Sequence, residues 1–141
     1  MKTVANLFFI LCTFMLHAQK ESFSLTVKLS HVKSSKGEIR MALYNHTEKF
    51  TKVDKTYRYA CLKPTGEELV YEFKDLEKGN YAICLFQDEN GNKKLDTNYL
   101  GIPTESYAFS NNIRPRFSAP AFEECSTYLD KNKVFLIKMV Y

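Results

Sequence analysis

Between Phe23 and Leu29 the chain alternates cleanly, with Phe23, Leu25, Val27 and Leu29 on one face and Ser24, Thr26 and Lys28 on the other. Successive side chains of a strand point to opposite faces, so this period of two predicts a half-buried β-strand. Ser34-Ser35-Lys36-Gly37 supplies turn chemistry, and Ile39, Met41 and Leu43 then repeat the pattern, which predicts a hairpin of the first two strands. From His46 to Lys55 only Phe50 and Val53 are apolar, at a spacing that allows one helical turn. Residues 57–62 and 69–73 read as further strands, divided by Lys63-Pro64-Thr65-Gly66. Residues 75–80 read as another turn, with Gly79 suited to a positive φ.

The run YAICLFQD, residues 81–88, is apolar on both faces until Gln87, the pattern of a central strand covered on each side. Residues 89–116 form a loop too long for an ordinary connection and too rich in aromatic residues for a linker. The AFEEC stretch within 117–129 predicts a short turn of helix, and residues 133–141 a last strand with Phe135, Ile137, Met139 and Tyr141 on its apolar face. About seven short strands without sustained helical periodicity predict an all-β, antiparallel β-sandwich of the immunoglobulin-like or transthyretin-like kind with one long loop.

The first residues change the picture of where this domain works. MKTVANLFFILCTFMLHAQ has a cation at Lys2, an uncharged run from Thr3 to Leu16 and a small residue at Ala18, the build of a secretory signal peptide. Its apolar run falls short of the roughly 20 residues a membrane-spanning helix needs. Cleavage after Ala18 divides the chain into a signal peptide, residues 1–18, and a single exported β-sandwich domain, residues 19–141, periplasmic or secreted, with no transmembrane segment after cleavage. One basic residue leaves with the signal, so the domain holds 19 basic against 16 acidic residues, a net charge of +3. Acids and bases are interspersed, which is a solvated surface and not a nucleic-acid footprint. Of the three remaining cysteines, Cys84 sits in an apolar strand pattern, and any disulfide is expected between Cys61 and Cys125.

Within the long loop, acids and amides recur at alternate positions. A hard cation needs several oxygens at once, and twelve-residue calcium loops supply them from positions 1, 3, 5, 7, 9 and 12. Counted from Asp88, these are Asp88, Asn90, Asn92, the carbonyl of Lys94, and Asp96, with Lys93 where such loops place glycine and Tyr99 where they place a bidentate Glu. Glu105 could supply the missing ligand from the returning chain, since Gly101 and Pro103 let it fold back. The expected site is weak calcium, in the ~10⁻⁴–10⁻³ M range of extracellular modules. The competing reading is that Asp and Asn simply form turns by accepting nearby backbone N–H groups.

From Asp75 the run DLEKGNYAICLFQDENGNKKLDTNYLGIPTESYAFSNN, followed by RPRFSAPAFEE, resembles an exported bacterial family known as domain of unknown function 2141. The matching elements include Tyr81, Ala82, Asp88, Asn90, Gly91, Asn92, the LDTN and GIP motifs, Glu105, Tyr107, Phe109, Ser110, Asn111, Phe122 and Glu123. The resemblance implies an exported β-sandwich and carries no biochemical activity with it. The family pattern usually has glycine where this chain has Lys93.

Three functions fit these residues. One is a non-catalytic module whose loop, stiffened by calcium, presents a surface to a partner such as a cell-envelope protein. Another is a carbohydrate or cell-envelope ligand module, with Tyr99, Tyr107 and Phe109 as apolar faces and Asn98, Glu105, Asn111 and Asn112 as hydrogen-bonding groups. The third, a hydrolase pairing Glu105 with Asp88 or Asp96, is the weakest, because the chain lacks the nucleophile elbow, the zinc-helix motif and a glycine-rich phosphate loop.

Overall fold

The computed structural model describes residues 21–33, 36–116 and 118–141; residues 1–20, with the expected signal peptide, and Ser34, Ser35 and Phe117 lie outside them. Among the described residues eight strands form two sheets: β1 (Phe23–Ser30), β2 (Glu38–Tyr44), β3 (Arg58–Leu62), β4 (Glu68–Leu76), β5 (Gly79–Asp88), β6 (Tyr107–Phe109), β7 (Thr127–Leu129) and β8 (Lys133–Lys138). One sheet has the order β4-β1-β8, the other β3-β2-β5-β6, with β7 also paired to β5. All pairs are antiparallel except β1 with β8, which is parallel. The arrangement is an all-β sandwich. Among the described residues no helix is long and apolar enough to cross a membrane.

Alternation decides which face of each strand is buried. Leu25, Val27 and Leu29 of β1 meet Ile39, Met41 and Leu43 of β2 in one interior cluster, together with Ile83, Leu85, Phe135 and Ile137. β1 and β2 therefore face one another across the sandwich and do not form the expected hairpin: β1 pairs with β4 and β8, β2 with β3 and β5. Lying in different sheets lets both apolar faces share one interior.

β5 is central, as its two-faced apolar pattern predicts. Tyr81, Ile83 and Leu85 enter the main core, while Ala82 and Cys84 face a second cluster on the outer side of the sheet. That cluster is built around Phe50, which follows the 3-10 turn Thr47–Lys49, and Phe122 and Cys125 of the short helix α1 (Phe122–Cys125). Phe50 meets Tyr44, Phe109 and Phe122 edge-on, with ring centroids 5.4, 6.2 and 5.7 Å apart.

Other expectations are corrected. β4 runs through Asp75 to Leu76, with the positive φ at Asp75 (55°); Gly79 opens β5, and the glycines with positive φ are Gly37, Gly91 and Gly101. Tyr141 does not continue the apolar face of the last strand: β8 ends at Lys138, and Tyr141 is exposed, its hydroxyl donating to the His31 carbonyl. Cys61 lies on β3, two strands from β5, where its thiol donates to Glu38 at 2.8 Å, whereas Cys125 is buried beside Cys84 against β5. Two strand spacings are about 10 Å, beyond the ~7 Å Cα separation a disulfide spans, so Cys61 and Cys125 are not bridged. The three cysteines among the described residues, Cys61, Cys84 and Cys125, are free thiols.

Candidate functional site

The loop begins where β2 and β5 end side by side, Glu38 paired with Asp88. Gly37, at φ 68°, lies so close that a Cβ there would stand 1.9 Å from the Asp88 carbonyl oxygen. Asp88 points to the outer face of the sheet and is fully buried. Its Oδ1 accepts Gly91 N–H at 2.7 Å; its Oδ2 accepts Lys93 N–H at 2.9 Å and Arg40 Nε–H at 2.6 Å. Arg40 also donates to Tyr59 (2.7 Å) and Glu38 (3.0 Å). Burial alone would raise the Asp88 carboxyl, but the Arg40 hydrogen bond, the N–H groups of Lys93 and Gly91 and the Arg40 charge outweigh it and hold it below the usual carboxylate range.

Around this anchor the amides and Asp96 close a ring. Asn90 and Asn92 donate from Nδ2 to the two oxygens of Asp96, at 2.6 and 2.8 Å. Their Oδ1 atoms accept the backbone N–H of Asn92 (3.0 Å) and Lys94 (2.8 Å). Glu105, also buried, reaches in from the returning chain: Oε1 accepts Glu89 N–H at 2.9 Å and Oε2 accepts Asp96 N–H at 3.1 Å. Lys93 adopts φ 66°, the bend that calcium loops assign to glycine.

The expected ligand residues are thus brought together, and in this arrangement their side-chain oxygens meet N–H donors. A cation at the Asp88 end would also meet the Arg40 guanidinium. Calcium ligation therefore requires Asn90 and Asn92 to rotate their oxygens toward Asp96. Among the described residues there is no group of three His, Cys, Asp or Glu side chains arranged to hold a metal.

Above the ring stands a tight tip. Thr97 bridges to Pro103, and Thr104 N–H donates to the Asp96 carbonyl at 2.8 Å. Asn98 holds the turn: its Oδ1 accepts Leu100 and Ile102 N–H at 2.9 and 3.0 Å, its carbonyl accepts Gly101 N–H at 2.9 Å, and its N–H donates to the Ile102 carbonyl at 2.8 Å. The apolar side chains of the tip remain in solvent, with Tyr99 95 %, Leu100 66 % and Ile102 55 % exposed.

The proposed ligand-facing residues separate here. Tyr99 stands at the tip, while Tyr107 and Phe109 are half-buried in β6, stacked edge-on at 6.1 Å. Asn111, at φ 60°, donates to the carbonyls of Glu124 (3.0 Å) and Ser126 (3.2 Å) and accepts from Thr127 (3.2 Å). Asn112 pairs with β8, through the Leu136 carbonyl and Lys138 N–H. The two asparagines fasten the returning chain to both sheets.

The carboxylates of the expected hydrolytic pair, Glu105 with Asp88 or Asp96, all accept N–H donors at both oxygens, and the depressed Asp88 carboxyl is the opposite of a general acid, which needs a raised one. Burial pushes the Cys84 thiol up to about 12 and that of Cys125 up to about 11, so both stay protonated at neutral pH.

Sequence reasoning missed Arg40, Leu100 and Ile102. Arg40 was legible as the polar position between Ile39 and Met41, and the tip as apolar residues flanking Gly101 in a polar loop.

Compared with known proteins, residues 27–135 match a family model described as uncharacterized protein conserved in bacteria. No curated protein and no solved structure matches the chain.

Proposed function

The chain belongs to domain of unknown function 2141, and from its own geometry we propose that it is an exported, non-catalytic β-sandwich module that displays the tip of the β5–β6 loop as its binding surface. The observation that carries this is the contrast within one loop: two buried carboxylates fasten its base while Tyr99, Leu100 and Ile102 stay in water. Ordering a loop before binding lowers the entropy lost on binding, and exposing apolar side chains on an ordered turn offers contact area. The leader pattern of residues 1–18 supports export.

The test is co-sedimentation with isolated bacterial cell envelopes. Wild type is expected to sediment with them and Tyr99→Ala to do so about tenfold less, with an unchanged melting temperature because Tyr99 is almost wholly exposed. Equal sedimentation of the two proteins would overturn the reading.

A second reading keeps this surface and closes the ring with calcium. Lys93 at φ 66° and the convergence of Asn90 and Asn92 on Asp96 favour it, since rotation of both amides would aim four side-chain oxygens at one point. It predicts a melting temperature that rises in millimolar calcium, falls back with chelator, and ceases to respond in Asp96→Ala. An identical melting temperature in calcium and chelator would remove it.

A further inference from the structure

We propose that the partner of the tip is the lipid–water interface of a membrane, with Leu100 and Ile102 entering the acyl boundary and Tyr99 resting at headgroup level. This rests on the display reading above and names its partner. The first support is size. Three apolar side chains on one narrow tip fall far short of the roughly 20–30 residues per side of a standard protein interface, whereas membrane attachment scales with the apolar area buried, so three side chains give weak, reversible insertion.

Hydrogen bonding supplies the second. Backbone N–H groups that enter an apolar medium unpaired are costly. At this tip the N–H groups of Leu100, Gly101 and Ile102 all bond to Asn98, so insertion strands none of the three. Tyr99 adds the amphipathic ring that favours the interface, apolar in its body and polar at its hydroxyl.

Charge sets the lipid preference. The exposed lysines of the loop, Lys93 and Lys94, are matched by Glu89 and Asp96, so the attraction is apolar and not Coulombic. Zwitterionic and anionic bilayers should bind alike.

Tryptophan is absent from the sequence, so Leu100→Trp gives a single reporter. The chain from Gln19 onward holds every described element and omits the apolar leader, which would itself bind lipid. With phosphatidylcholine vesicles the emission of Leu100→Trp is expected to shift to the blue, equally with vesicles containing phosphatidylglycerol, and to persist at high salt. Val134→Trp, on the exposed face of β8, should not shift. Adding Tyr99→Ser and Ile102→Ser to Leu100→Trp should lower partitioning about tenfold or more, because two apolar side chains are lost from the inserted tip. No shift with either vesicle, or a shift that the added serines leave intact, would overturn the inference. A shift confined to anionic vesicles and erased by salt would overturn its apolar basis. Envelope sedimentation without vesicle binding would remove the lipid and leave the display reading standing, with a protein or glycan as partner.

Discussion

Gly37→Ala is expected to be the most damaging small substitution in the chain, lowering stability by about 3–5 kcal/mol in urea denaturation. The added methyl would stand 1.9 Å from the Asp88 carbonyl oxygen and 2.7 Å from both the Asp88 carbonyl carbon and Glu89 Cα. Those are backbone atoms, so no rotamer relieves the clash; the rung between Glu38 and Asp88 must open. Gly91→Ala is the control. Its φ of 79° is just as left-handed, but nothing lies within 4 Å of the new methyl. It should cost only the ~1–2 kcal/mol of placing an L-residue there. Equal losses for the two would mean that the close approach of Gly37 to Asp88 is not made.

Asp88→Ala is expected to cost about 3 kcal/mol, the range for removing one partner of a buried ion pair. It strips Arg40 of its shortest contact and leaves the Gly91 and Lys93 N–H groups without their acceptor. Asp88→Asn should restore little, because its NH2 group would face donors at one side. The pH dependence follows from the direction of the carboxyl shift. Its folded value lies below the unfolded value of about 3.9. The contribution is therefore complete above the unfolded value and is lost as pH falls through the folded one. In acid titrations of denaturant midpoints, the gap between wild type and Asp88→Ala should be constant from neutrality to about pH 5 and narrow below about pH 4. A gap that widened on acidification would contradict the assigned partners.

Periodicity made β1, β2 and β5 legible, because burial of one face or two writes itself into alternate residues. It could not say which strand lies beside which. Leu25, Val27 and Leu29 and Ile39, Met41 and Leu43 carry the same signal whether their strands pair or face one another. β6 and β7, three residues each, are too short to show a period: β6 falls inside the expected long loop, and β7 inside the stretch 117–129, where a short helical turn is expected. Their pairing with β5 depends on Asn111, Asn112 and the Tyr107–Val140 bridge, contacts between distant parts of the chain.

The loop was legible in its residues and not in their orientation. Alternate spacing places Asp88, Asn90, Asn92 and Asp96 on one ring whether the oxygens face a cation or the backbone. What tips Asp88 toward N–H donors is partly Arg40, 48 residues away on the neighbouring strand. Glu105, expected to reach the ring as a metal ligand, comes in from the returning chain and accepts the Glu89 and Asp96 N–H groups. The exposure of Leu100 and Ile102 follows from Asn98 turning the chain back within four residues, a local geometry that spacing does not encode.

The chain's own carboxylates and Asn98 order the loop and hold its tip in water. Native-state hydrogen exchange in chelator, read amide by amide, measures that order. Gly91, Lys93, Asp96, Leu100 and Ile102 should be protected well above random-coil rates, with Glu105→Ala releasing Asp96. Random-coil exchange at all five in the wild-type protein would mean that these bonds do not order the loop.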